Sequence, residues 1–434
     1  MKAQYKRLRG MPDLLPEDLR LWHRFEAAVR ETMHAYGYGE MRTPVLEASE
    51  VFVRSIGEAT DIVEKEMYTF ADRKGAPVSM RPENTAGCVR AAIENGLLQQ
   101  GATARIWYQG PMFRYERPQL GRQRQFHQVG AEAYGIAGPV IEAELILMCA
   151  RLWRELGVAD ALSLEVNTLG TTEERQRYRD ELVAYFNDHR DELDEDSLRR
   201  LDRNPLRILD SKNPDMQAML AAAPVFAEYL GVESGEHHSA LLDALSANGV
   251  EAVPNARLVR GLDYYSHTVF EWTTDRLGAQ SAVCGGGRYD GLLAEFGAAG
   301  VAGVGWALGV ERVIALMQAL EIAAPDDAAD VFVITAGAVP PSEGLIFAEE
   351  LRRADAGLSV LHNSAGGSMK SQFRKADRSG ARFAAIIGDE EIASGTVSLK
   401  PLLSDAAQRQ LGRTEVAAAV AAATDAGDGF PSSG

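Results

Sequence analysis

Cysteine is scarce in this chain, and the little present does not pair: Cys88, Cys149 and Cys284 are far apart, odd in number and set in apolar or glycine-rich stretches. That argues against a disulfide framework and for a reducing compartment, with three small buried side chains. Metal-ligand spacing is lacking as well. The eight histidines form no H-x-x-x-H pattern, no C-x-x-C occurs, and the adjacent His237 and His238 lie in a polar stretch, so no structural metal site is expected. No apolar run approaches the roughly 20 residues that span a bilayer. The opening segment MKAQYKRLRGMPDLLPEDLR has no signal-peptide apolar core, which predicts a cytoplasmic protein with no membrane partner. Positive charge is also in deficit: a formal net charge of −17 counts, taken alone, against a nucleic-acid partner.

Two windows run against that deficit. Residues 105–124 hold five arginines against Glu116, and residues 370–382 hold five basic residues against Asp377, a net of +4 in each (five minus one). Either window alone reads as a solvated face. Three arginines stand out further. Arg114 ends the apolar run of Arg105-Ile-Trp-Tyr-Gln-Gly-Pro-Met-Phe-Arg114, Arg260 opens Arg-Gly-Leu-Asp-Tyr-Tyr265, and Arg312 closes Gly303-Val-Gly-Trp-Ala-Leu-Gly309-Val-Glu-Arg312. A guanidinium keeps its charge and offers a rigid fork to paired oxygens, so three of them beside apolar segments suggest a phosphate-handling pocket.

A chain of 434 residues, 46% apolar and 25% charged, is a globular protein of two or three domains. Residues 16–36 carry Leu21, Phe25, Ala28, Val29, Thr32, Met33 and Tyr36 at helical spacing with acids in the first turn, and Gly37 and Gly39 end the pattern. A short proline-interrupted strand over 40–46, a helix over 49–55, and strands over 66–70, 77–81, 104–115 and 125–134 follow, with antiparallel hairpins as the natural connection. From about 172 to 250 the texture becomes charged and helical, as an insertion would be. A strand at 268–272, a glycine-rich turn at Cys284–Gly291 and an apolar helix from about Gly305 to Leu320 come next. The Ala/Pro-rich acidic stretch 321–330 reads as a linker. Beyond it, strands at 331–335, 358–361 and 383–387 alternate with helices at 342–354 and 368–378, a small α/β domain. Ala423–Gly434 reads as a disordered tail.

These segments together resemble the histidyl-tRNA synthetases, a family of class II aminoacyl-tRNA synthetases, over nearly the whole length. The resemblance implies a mixed, mainly antiparallel catalytic sheet in residues 1–325 with a helical insertion, and an anticodon-binding α/β domain in 326–422. Motif 1 would be the helix 16–36 with the strand ending at Pro44, which builds the family's homodimer interface. Motif 2 would span 104–134 and motif 3 would end in Arg312. On that basis Arg114 takes the ATP α-phosphate, Arg122 the distal phosphates, and Phe126 and Arg312 the two faces of adenine; charge and flat surfaces are what a nucleotide requires.

Two stretches match the histidine-specific family, Arg260-Gly-Leu-Asp-Tyr-Tyr265 and Gly285-Gly-Gly-Arg-Tyr-Asp-Gly291. Neutral imidazole offers one N–H and one bare nitrogen, so a pocket for it needs an acceptor and a donor, supplied here by Glu132 and the Tyr264 hydroxyl. The resemblance gives Glu83, Thr85 and Gln128 to the α-amino group and Tyr265 to the pocket wall, with Asn84 in the same histidine-binding run. It makes Arg260 the catalytic cation opposite Arg114, both touching the activated carboxylate and the α-phosphate. Magnesium is expected with ATP, its protein ligands unidentified by sequence. The family usually reads Arg-Pro-Glu-Gly-Thr-Ala where this chain has Arg81-Pro-Glu-Asn84-Thr-Ala, so any left-handed backbone at 84 falls to asparagine. Gln119 and Arg124 would meet the tRNA acceptor end, and Lys370, Arg374, Lys375 and Arg378, on one helix face, the anticodon side. The two basic windows thus fall in the two places that touch RNA. The implied activity is ligation of histidine to its tRNA. The family also holds a catalytically silent regulatory paralogue, which lacks the C-terminal domain and loses site residues that this chain keeps.

Overall fold

The computed structural model describes residues 5–57, 60, 62–119, 121–201, 205–209, 211, 213–259, 264–278 and 282–425. Those up to Ala324 form one unit and those from Pro325 a second. The first opens with α1 (Pro16–Ala35), whose proline sits at the start, where no N–H is needed, and whose Glu17 and Asp18 face the positive end of the helix. Next come β1 (Gly39–Glu40), β2 (Leu46–Ala48), α2 (Ser49–Ile56), β3 (Thr69–Ala71), β4 (Pro77–Met80), α3 (Thr85–Glu94), β5 (Ala104–Phe113), β6 (Gln125–Tyr134), α4 (Pro139–Leu156) and β7 (Ser163–Thr168). The helices α5 (Thr172–Asp188), α6 (Glu195–Leu201), α7 (Gln217–Ala222) and α8 (Val232–Ala247) lead to β8 (Ala252–Pro254), β9 (Ser266–Thr273), β10 (Ala282–Arg288), α9 (Asp290–Glu295), β11 (Gly303–Gly309) and α10 (Val310–Ala319).

Among the described residues an eight-stranded sheet runs in the order β1-β5-β6-β11-β10-β9-β7-β8. Its outer pairs, β1 with β5 and β7 with β8, are parallel and the rest are antiparallel, so the expected mixed, mainly antiparallel sheet is present. Strand alternation divides its two faces. Along β6, Val129, Ala131 and Ala133 turn into a core shared with α1, α4 and α10, while Phe126, Gln128, Glu132 and Tyr134 turn to the opposite side. The α1 stripe of Trp22, Phe25, Val29 and Met33 is wholly buried in that first core, against α4 and α10.

Where a glycine-rich turn and a helix were expected, β10 and β11 pair as strands, Gly286 opposite Trp306 and Gly287 opposite Gly305. Close approach explains both departures: a Cβ on Gly286 would overlap the Gly305 carbonyl, and one on Gly305 would overlap the Glu132 carboxylate. The helix starts only at Val310. The insertion has a core of its own, Tyr178, Leu182 and Phe186 against Met216, Met219 and Phe226. It ends before α8, which instead buries Leu241 and Leu245 against α4 in the main core.

The second unit runs β12 (Val331–Thr335), α11 (Pro341–Ala354), β13 (Val360–His362), α12 (Met369–Ser379), β14 (Phe383–Ile387), α13 (Asp389–Ser394), β15 (Thr396–Pro401), β16 (Arg409–Gly412) and α14 (Val416–Asp425). Its sheet is ordered β13-β12-β14-β15-β16, the first three strands parallel and the last two antiparallel. The tail expected from Ala423 overlaps the last residues of α14, and the rest of it lies outside the described residues. Among the described residues no helix is long and apolar enough to cross a membrane.

Candidate active site

Above the second face of the large sheet lies a cleft floored by Cys284 and Gly285 of β10 and by Gly305 to Gly309 of β11. Its two ends differ in chemistry. One is cationic. Where β5 ends, the Arg114 backbone N–H donates to the Arg124 carbonyl at 2.9 Å, which closes the motif 2 hairpin. The Arg114 side chain is held by Nε donating to the Pro82 carbonyl at 2.8 Å, with its guanidinium 5.3 Å from the Phe126 ring centroid. Arg122 pairs with the buried Glu116, which also lies 3.9 Å from Arg114. Arg312, in the first turn of α10, donates through Nε to the Gly121 carbonyl at 3.3 Å and through Nη1 to the Ala282 carbonyl.

Burial, then the neighbouring Arg122 charge, pulls the Arg312 guanidinium below its usual value. Arg122 and Arg114 both lower the Arg312 guanidinium, and the three cations lie close enough at this end for the local field to favour a polyanion.

The other end is a nest of carboxylates and phenols. Glu83 Oε2 accepts from the Thr85 N–H at 2.6 Å and Oε1 from the Ala86 N–H at 3.0 Å, capping α3 with an acid where the helix dipole is positive. Burial raises its carboxyl, and those two N–H groups offset part of the rise. Thr85 Oγ1 donates to Glu132 Oε1 at 2.9 Å, and the Tyr289 hydroxyl donates to Glu132 Oε2. Glu132 is fully buried beneath Gly305, and burial pushes its carboxyl up to about 8 although both hydroxyl bonds pull it down. The Tyr264 ring stands edge-on to Tyr289 at 5.6 Å and 4.7 Å from Tyr265. Gln128 lines the cleft, and its Oε1 is buried with no hydrogen-bond partner among the described residues. A buried amide oxygen in that state is ready for a donor from a ligand.

Glu83, Thr85, Arg114, Arg122, Phe126, Gln128, Tyr264, Tyr265 and Arg312 all line this one cleft, and Glu132 lies directly below its floor. Asn84 does not. Its Oδ1 accepts from Thr43 Oγ1 at 2.5 Å and from Arg81 Nη1 at 3.3 Å, and its Nδ2 points to Cys88, so the side chain fastens α3 from behind. Its φ of −124° is open to any residue, so the backbone makes no demand for glycine there.

Gln119 and Arg124 also stand off the cleft wall. Gln119 and Arg122 exchange backbone hydrogen bonds at the hairpin tip, and the Arg124 guanidinium lies 3.7 Å over the Tyr115 ring. Arg260 lies outside the described residues. In the second unit, Lys370, Arg374, Lys375 and Arg378 are all exposed on α12, with Lys375 Nζ donating to Asn363 Oδ1 at 2.9 Å.

Three residues of the site carry no role in the sequence reading: Tyr289, Glu116 and Glu311. Tyr289 lies in the Gly-Gly-Gly-Arg-Tyr-Asp run and needed only a phenol partner for Glu132 to be sought. Glu116 is the single acid of its arginine-rich window, a charge-balance signal. Glu311 accepts from the His127 N–H at 2.9 Å and its ring nitrogen at 2.9 Å, fixing α10 to β6, and nothing in the sequence announces that pairing.

The family model for histidyl-tRNA synthetase matches residues 10–313, and that for an anticodon binding domain matches residues 330–423. Among solved structures, the apo histidyl-tRNA synthetase of S. aureus is 31% identical with a TM-score of 0.81, over 96% of this chain and 99% of that one. The histidyl-tRNA synthetase of Nostoc sp. PCC 7120 shares the fold at 20% identity and a TM-score of 0.67, over 96% and 98% of the two chains. An ATP phosphoribosyltransferase regulatory subunit/histidyl-tRNA synthetase from Bacillus halodurans does so at 21% identity and 0.62, over 89% and 99%. With an arginine-lined, tyrosine-walled cleft on a class II type sheet and a C-terminal α/β unit, the chain belongs to the histidyl-tRNA synthetase family.

Proposed function

We propose that the chain is a histidine–tRNA ligase. A histidine carboxylate oxygen attacks the α-phosphorus of ATP, the bond to pyrophosphate breaks, and histidyl-adenylate forms. The terminal ribose hydroxyl of the tRNA then attacks the carbonyl carbon, and AMP leaves. The observation that carries this reading is the two-ended cleft, cations at one end and the Glu83, Gln128, Glu132 and Tyr264 nest at the other.

ATP takes the cationic end: Arg114 meets the α-phosphate, Arg122 the distal phosphates, and adenine lies between Phe126 and Arg312. Arg114 then stabilises the charge that grows on the non-bridging oxygens during attack. Arg260 complements it from the other side, a role assigned on sequence alone. Histidine takes the other end, its amino group on Glu83, Thr85 and the unpartnered Gln128 Oε1, its ring between Glu132 and Tyr264, with Tyr265 beside it. Magnesium arriving with ATP needs one or two protein carboxylates, and Glu116 and Glu311 on the cleft wall suit it. No group of three His, Cys, Asp or Glu among the described residues would hold an ion without the nucleotide. The metal would neutralise the departing pyrophosphate.

Residues up to about 325 thus activate histidine, and 326–422 read the tRNA. Gln119 and Arg124, on the motif 2 hairpin, are left free of the ATP site to meet the acceptor end. Weight for the ligase over a silent paralogue comes from the cleft residues Glu83, Thr85, Arg114, Gln128, Tyr264 and Arg312, which a silent site has no need to keep. A ligase of this kind works where its tRNA is, in the cytoplasm. For the tRNA side, replacing Lys370, Arg374 and Arg378 together by Ala lowers the slope of log affinity against log salt by about one for each phosphate no longer neutralised. An unchanged slope in filter binding removes α12 from the interface.

The homodimer we keep on motif 1, and because the apolar stripe of α1 is consumed within the chain we extend that surface to an apolar sheet face beside it. Register puts Leu46, Ala48, Phe70, Val78 and Met80 on one face of the β2-β4-β3 sheet, and Leu46 and Phe70 are 47% and 48% exposed. A second copy of the chain covers such a face. Leu46→Asp with Phe70→Asp yields monomers in sedimentation equilibrium with little loss of stability, since both side chains are half exposed. A double variant that remains dimeric excludes this face.

A further inference from the structure

Both crossings between the main sheet and the helical insertion converge on three consecutive residues, Tyr265 to His267. On the way out, the Leu169 N–H donates to the His267 carbonyl at 2.6 Å and the His267 N–H to the Gly170 carbonyl at 3.0 Å. Thr171 then caps α5, its Oγ1 accepting from the Glu174 N–H at 3.2 Å while Glu174 returns to the Thr171 N–H at 2.7 Å. The next residue, Arg175, donates from its guanidinium to the carbonyl of Tyr265.

On the way back, Ser234 Oγ donates to Glu174 at 2.7 Å. His237 of α8 stacks on His267, with ring centroids 5.3 Å apart and 25° between planes. His267 itself holds φ at +48°, a left-handed value that a side-chain-bearing residue keeps only when its surroundings impose it. His237 Nε2 also bonds both Glu142 oxygens at 3.0 Å, and Glu142 holds Arg288, the neighbour of Tyr289.

We propose that the insertion is mechanically tied to the amino-acid end of the cleft, with Arg175 as a positioning residue for the Tyr264–Tyr265 wall. The inference rests on the ligase reading. The insertion packs on a core of its own, and its first helical turn carries the group that fixes the Tyr265 backbone. Ordering of Tyr264 and Tyr265 by histidine therefore orders the insertion hinge, and whatever fixes the insertion tightens histidine binding by the same factor. ATP, held by Arg114, Arg122 and Arg312, makes no contact with this linkage and is left unaffected.

The test uses the full chain carrying Arg175→Met, which keeps the apolar stem and removes the donors, and Arg175→Lys, which restores one. In pyrophosphate exchange, Arg175→Met raises the KM for histidine by about tenfold, the KM for ATP stays within about twofold, and Arg175→Lys recovers part of the loss. In the wild type, histidine also slows amide hydrogen exchange over residues 171–178 and 231–237, and Arg175→Met abolishes that protection. Equal rises in both KM values, no rise in either, or no histidine-dependent protection at the hinge overturns the proposal. Wild-type protein that performs no histidine-dependent exchange sinks the ligase reading instead, a result distinct from these.

Discussion

Glu132→Gln lowers kcat/KM for histidine in pyrophosphate exchange on the order of 10³-fold, while making the folded protein more stable above pH 8. Loss of activity follows from the acceptor role. A buried site built to take an imidazole N–H loses most of its discrimination when the acceptor becomes an amide that also donates. The gain in stability follows from the proton. Burial holds the Glu132 carboxyl at about 8 against the ordinary 4.5, so the folded chain keeps a proton that the unfolded chain has released. The associated stability is fully present below pH 4.5 and is lost as pH rises through 8. At about 1.4 kcal/mol per unit of displacement, the loss reaches a few kcal/mol. Glutamine has no such dependence, so the stability gap between variant and wild type widens across that window and then levels. Urea unfolding at either end of the window measures it. Wild-type kcat/KM for histidine climbs as pH rises through about 8, because the carboxylate is the form that accepts. A gap that does not change with pH contradicts the buried, proton-retaining state of Glu132.

The second large effect belongs to Arg114. Arg114→Ala slows exchange on the order of 10² to 10³-fold, as loss of one preorganised donor to a developing oxyanion does. The side chain is placed before any ligand arrives, by the Pro82 carbonyl at 2.8 Å and the Phe126 ring. The fall therefore appears in kcat more than in the KM for histidine. Arg114→Lys does not restore the rate, since a single ammonium lacks the fork that meets two oxygens while still reaching Pro82. Stability falls by only about 1 kcal/mol, the worth of one hydrogen bond to a partly exposed group. A lysine variant with wild-type kcat contradicts bidentate phosphate contact.

Much of the architecture was legible where side chains alternate or recur. The ten-residue strands β5 and β6, the α1 stripe, and the strands and helices of the second unit through β14 all fall close to where periodicity puts them. It failed where glycine erases the pattern. Gly285 to Gly287 and Gly303, Gly305 and Gly309 carry no side chains to alternate, because neighbouring backbone and the Glu132 carboxylate take the space, so β10 and β11 read as a turn and a helix. Texture misled once more at α8, which reads as a continuation of the insertion before it but turns Leu241 and Leu245 into the main core. Motif arginines could be named in sequence because each ends a recognisable run. What could not be named was how they are held: the Pro82 and Ala282 carbonyls, Glu116, and the bond from Tyr289 to Glu132 join segments up to 157 residues apart. The α1 face shows the limit of pattern from the other side, since an apolar stripe does not say whether it meets its own chain or another.

ATP–pyrophosphate exchange by the wild-type chain, with each of the standard amino acids supplied in turn, decides whether the chain is a histidine–tRNA ligase. Exchange requires histidine and is lost with Arg260→Ala as it is with Arg114→Ala. Exchange that is absent, or that runs equally well with another amino acid, contradicts that reading.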